Sequence, residues 1–135
     1  MKRLMSTKFS AGAFNTAMLI IRLGVGLLML NHGYSKLIKF AEMKSTFMNF
    51  MGIGTTTSLL LVIFAEFFCS ILLILGLFTR LATIPLILTM SVVLFKVTHG
   101  DFFDKGEIPS LFLLIYITLL IVGPGRASVD GMIGK

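Results

Sequence analysis

Apolar residues fall in four long blocks separated by short polar stretches, a pattern that predicts four membrane-crossing helices. The most complete block, Leu59 to Leu77, is almost wholly apolar and about 20 residues long, enough to cross a bilayer core as one helix. Phe78-Thr79-Arg80 closes it with a turn so short that the helices on either side must be antiparallel neighbours. With their flanks, the predicted helices cover about 13–31, 58–78, 81–99 and 108–123. Between the first two, Leu37, Phe40, Ala41, Phe47, Met48 and Met51 lie near one helical face, with Lys39, Glu42, Ser45 and Asn49 elsewhere. A short amphipathic segment is therefore expected over about 36–51, lying on the membrane or capping the bundle. The expected fold is all-α: a single-domain polytopic membrane protein, a four-helix transmembrane bundle with that segment after helix 1.

Composition agrees. Of 135 residues, 56% are hydrophobic and only 13% charged, where a soluble domain carries about a quarter. The net charge of +6 does not point to nucleic acid, because the basic residues are spread over the ends of apolar segments. Ala13 to Leu30 is too long for a signal peptide, holds Arg22 and lacks a small-residue cleavage pattern, so it reads as a retained first span. Cys69 is the sole cysteine, which excludes an intramolecular disulfide. Lys2, Arg3, Lys8, Arg80, Arg126 and Lys135 flank one side, against Lys36, Lys39, Lys44 and Lys105 on the other. The positive-inside rule then places both termini in the cytoplasm.

Candidate chemistry centres on Glu66, an acid in the middle of the longest apolar block. Such a carboxylate costs about 2.5–3.5 kcal/mol on insertion scales and should face protein or water. Counting 1.5 Å per residue, Arg22 lies roughly 14 Å and Glu66 roughly 17 Å from the same membrane face, so the two are expected to pair. That pair is either part of a site or only a register lock between helices. Lys96 and His99 share a face of helix three, His32 ends helix one at a similar level, and Tyr116 sits inside helix four. With Glu66 these outline a polar chamber; the plainer reading makes the two histidines and Lys96 interfacial, with Lys96 reaching out to the membrane surface. No haem attachment motif exists, and the depth gap between Glu66 and the histidines argues against a metal, so neither haem nor metal is expected. A quinone fits better, its tail between helices and its ring between histidine and a carboxylate that exchanges protons. Gly24, Gly26 and Gly33 allow close approach of helix one to its neighbours.

These residues resemble the DoxX family of small bacterial integral membrane proteins. The resemblance rests on Arg22 with Gly24 and Gly26, then His32-Gly33-Tyr34-Ser35-Lys36-Leu37. It continues through Glu66, Leu75-Gly76-Leu77-Phe78-Thr79-Arg80 and Gly123-Pro124-Gly125-Arg126-Ala127-Ser128-Val129-Asp130. It implies a four-helix membrane bundle in the bacterial cytoplasmic membrane and an association with quinone-linked oxidoreductases.

The leading expectation is a quinone-interacting or accessory subunit of a membrane oxidoreductase system. Glu66 and His99 would move protons, Arg22 would hold Glu66 charged, and His32, Lys96 and Tyr116 would bind the head group. A non-catalytic scaffold or assembly partner is the alternative. A small-solute carrier is a weaker third, since a lone four-helix chain is small for alternating access and shows no internal repeat. The expected partners are the lipid bilayer, an oxidoreductase protein and further copies of the chain, but no nucleic acid.

Overall fold

A computed structural model describes residues 4–47 and 49–133 of the chain. Met48, placed on the amphipathic face above, and Lys2, Arg3 and Lys135 of the charge count lie outside the described residues. Four long helices pack together: α1 (Ala11–Ile38), α3 (Thr55–Leu75), α4 (Thr79–Val97) and α5 (Glu107–Val122). Two single turns, α2 (Phe40–Met43) and α6 (Val129–Met132), complete the set. No strand occurs among the described residues. By length and composition α1, α3 and α4 can each cross a membrane, whereas α5, at 16 residues, is shorter. The chain is a membrane protein.

Local chemistry explains the helix ends. The Ser10 hydroxyl caps α1 by accepting from the Ala13 N–H at 3.0 Å. At the other end α1 does not stop at Asn31, as the sequence suggested, but continues to Ile38. Gly33, two residues past the expected end of helix one, is buried within the helix, where α3 presses against it. A Cβ there would stand 2.7 Å from the Glu66 carbonyl carbon and the Phe67 nitrogen. Much of the expected amphipathic helix is thereby absorbed into α1, and only α2 and a 3-10 turn at Phe50–Gly52 form beyond it.

The end of α3 is a Schellman motif: Leu77 N–H bonds to Leu72 O and Gly76 N–H to Leu73 O, with Gly76 at φ 73°. Inside α3 the winding widens to a π-helical turn over Phe64–Cys69, which contains Glu66. A second π turn, Val93–Val97, ends α4. Such turns are rare and frequent at functional sites.

The core lies where all four helices meet, with Met29, Leu73, Leu86, Tyr116 and Leu119 each at most 2% exposed. Burial of these side chains removes apolar surface from lipid or water and sets the packing, but close approaches at glycines set the register. Gly33 meets Glu66, Gly26 meets the Ser70 carbonyl, and Arg22 meets Gly76, so α1 and α3 run antiparallel through three matched levels.

Candidate functional site

Glu66 is 2% exposed, and its carboxylate accepts a hydrogen bond from the Lys36 ammonium at 2.5 Å. The widened turn around Glu66 is the part of α3 pressed against Gly33, one turn before Lys36 on α1. Lys36 is the partner that sequence reasoning missed. Its signal was present, since Lys36 follows His32 by four residues and shares its helical face.

His32, Lys36 and Glu66 together line a cavity of about 130 Å3. Its apolar wall comes from Met29 of α1, Met90 and Val93 of α4, and Ile108, Pro109 and Phe112 of α5. The His32 ring meets Phe112 edge-on at 6.2 Å, and Phe112 stacks on Tyr116 at 6.0 Å. α5 begins at Glu107, and its first two turns, through Ile108, Pro109 and Phe112, wall this notch opposite Glu66. Val93, first residue of the second π turn, also lines the cavity, so both π turns reach the same notch. A wider surface recess of about 280 Å3 between α1 and α3 carries Asn31 and Tyr34 but no charged group.

Arg22 does not pair with Glu66. Its guanidinium donates instead to Pro124 O at 2.7 Å and Ala127 O at 2.6 Å, at the far end of the bundle. The depth estimate failed because it aligned the helix ends. In the structure α1 overshoots the end of α3, and Arg22 lies level with Gly76. Ten residues separate Gly76 from Glu66, about 15 Å of helix.

Around Arg22 the C-terminal tail is tied down. The Asn15 side chain accepts from Arg126 N–H at 3.1 Å, and Asp130 N–H bonds to Gly76 O at 2.9 Å. The Asp130 carboxylate accepts from Phe78 N–H at 2.9 Å and Thr79 N–H at 3.0 Å, capping α4 from a distant part of the chain. Partial burial pulls the Asp130 carboxyl upward, but those two N–H groups and the charge of Arg22 outweigh it and hold it below the usual carboxylate range. Arg80 closes the far end of α5 by donating to Val122 O at 3.2 Å.

The remaining candidates separate. Tyr116 is fully buried one turn beyond Phe112, within electrostatic reach of Glu66 and Cys69. Lys96 and His99 are exposed and lie outside the cavity wall. His99 has φ 56° and sits where α4 ends, with Gly100 N–H returning to Leu94 O at 2.8 Å. The structure thus brings His32 and Glu66 into one cavity, adds Lys36, leaves Tyr116 a turn beneath it against Phe112, and sets Arg22, Lys96 and His99 apart.

A family model described as DoxX matches residues 17–99, a span that holds His32, Lys36 and Glu66 and stops short of Tyr116 and the tail. No curated protein matches the chain, and no solved structure does.

Proposed function

This chain belongs to the DoxX family, and from that premise we propose that it is a quinone-interacting subunit of a membrane oxidoreductase system, its site the notch around Glu66. The observation that carries the reading is a buried carboxylate paired with an ammonium, beside His32, in a cavity whose remaining wall is apolar. The donor set fits a quinone: Lys36 and His32 can donate to ring oxygens, and Phe112 offers an aromatic face. At about 130 Å3 the cavity is smaller than a typical ligand pocket, which suits a head group whose apolar tail stays between helices or in lipid.

A quinone held there would take up two electrons from a partner protein together with two protons. Lys36 orients the head and keeps Glu66 in place through Oε1. Glu66, shielded from solvent, holds or releases a proton at its carboxylate, and the exposed His32 exchanges it with the outside. Lys36 takes the part that the sequence reading gave Arg22. The bundle crosses the bacterial cytoplasmic membrane four times, with α5 as the short fourth span. The tail end, with Lys8, Arg80 and Arg126, faces the cytoplasm.

Purification in mild detergent followed by solvent extraction tests this. A near-stoichiometric quinone from the wild type, reduced at least tenfold in Glu66→Gln and Lys36→Met, is the expected result. Wild-type protein free of quinone, and unable to bind one added in micelles, would sink the reading. That outcome would favour the second one, a non-catalytic scaffold, which the Arg22 tail clamp supports because it fixes the architecture without touching the cavity.

A further inference from the structure

Beneath the notch lie polar atoms that nothing among the described residues satisfies. The Ser70 and Tyr116 hydroxyls belong to residues at 0% exposure, and neither has a hydrogen-bond partner among the described residues. Leaving a buried hydroxyl unsatisfied costs about 1–3 kcal/mol. A serine inside a helix ordinarily relieves itself on the carbonyl four residues back, as Thr89, Thr98, Ser110 and Thr118 all do here. Ser70 does not, although Glu66, the residue whose carbonyl it would use, lies in the widened turn.

Their positions match. Ser70 lies one turn beyond Glu66 on α3, and Tyr116 lies one turn beyond Phe112 on α5. Glu66 and Phe112 both line the cavity, and both helices run from there toward the tail end. The two residues therefore sit at a similar level, about 6 Å of helix beneath the cavity wall. Tyr116 is also within electrostatic reach of Glu66 and of Cys69, the residue before Ser70.

We propose that Ser70, Tyr116 and Glu66 bind an internal water beneath the notch, so that the Glu66 carboxylate has a polar partner on its inner side as well as Lys36 on its outer side. A buried water characteristically makes about three hydrogen bonds, and two unpartnered buried hydroxyls with the inner side of a carboxylate already held by Lys36 would supply them here. The charged and titratable groups around Glu66 are then complete: Lys36 and His32 from α1, Tyr116 from α5 and Cys69 from its own helix, while α4 contributes only Met90 and Val93 to the cavity. Ser70 and Tyr116 act as positioning residues. They hold the water, and the water gives a proton on Glu66 a second place to go. This needs no quinone and stands apart from the function proposed above.

Hydroxyl-radical footprinting of quinone-free protein in water enriched in 18O tests it, because radicals formed from a bound water label the side chains beside it. Tyr116, shut off from solvent, is expected to take up label at least fivefold faster than the stacked but less buried Phe112. Ser70→Ala is expected to cut Tyr116 labelling at least fivefold while Phe112 stays constant, with a cooperative melt in detergent confirming the fold. Tyr116 unlabelled in the wild type overturns the proposal by itself, whatever the variant does. So does labelling that Ser70→Ala leaves unchanged in a folded protein. Either result would leave the quinone test untouched.

Discussion

Lys36 and Glu66 are unequal partners: the lysine side chain keeps 23% of its surface exposed, the glutamate 3%. Removing the lysine alone strands a buried carboxylate, whereas removing both charges leaves a neutral contact. Lys36→Met is therefore expected to destabilise by about 1–3 kcal/mol, less than a fully buried pair because Lys36 is partly solvated. Lys36→Met/Glu66→Gln should regain much of that loss in detergent denaturation. Single losses that simply add in the double variant would show that the two side chains are not coupled. Glu66 was legible in the sequence because an acid inside twenty apolar residues has few bland explanations. Lys36 was masked, although it follows His32 by one helical turn, because the sequence suggests that the first helix ends near Asn31. Local propensity cannot register that a neighbouring backbone holds Gly33 in a helix.

Two glycines of α1 make the same point for an element. At Gly33 a Cβ would stand 2.7 Å from the backbone of Glu66 and Phe67, where only main chain could yield. At Gly24 nothing lies within 4 Å. Gly33→Ala should cost about 1–3 kcal/mol by overpacking and displace the turn that carries Glu66, lowering ligand retention with it. Gly24→Ala should be neutral or stabilise by about 0.5–1 kcal/mol, the ordinary gain of alanine in a helix interior. Parallel melts of the two variants check this; an equal effect at both positions would mean that α1 and α3 do not touch at Gly33. The placement of α5 matters in the same way. Its first two turns wall the notch, and hydropathy showed the shortness but not what lay opposite.

For the molecule as a whole, the tail joins elements that are remote in sequence: Arg22 to Pro124 and Ala127, and Asp130 to Phe78 and Thr79. Asp130→Ala should cost about 1 kcal/mol as the loss of a helix cap, and truncation after Gly123 should cost more by leaving Arg22 buried without acceptors. The Asp130 carboxyl is held down in the fold, so its contribution is complete above the ordinary carboxylate pKa of about 3.9 and fades as pH falls through the lower folded value. Melting curves of wild type and Asp130→Asn should differ by a constant amount from pH 7 to about pH 4 and converge only below it. A gap that closes already at neutral pH would show that Asp130 does not cap α4.

By itself the sequence determined the class of this protein and its most exceptional residue. Long apolar blocks make helices that a membrane can hold, and a carboxylate within one must be given a partner. Which partner it receives is a different kind of fact. Arg22 and Lys36 are both cations on α1, and hydropathy permits either to reach Glu66. Only the register of α1 against α3, set by Gly33, Gly26 and Gly76 in close contact across the pair, gives Glu66 to Lys36 and leaves Arg22 to the tail. Periodicity measures positions along one helix, whereas an axial offset between two helices arises from contacts between residues far apart in the chain. That offset decided where the site is.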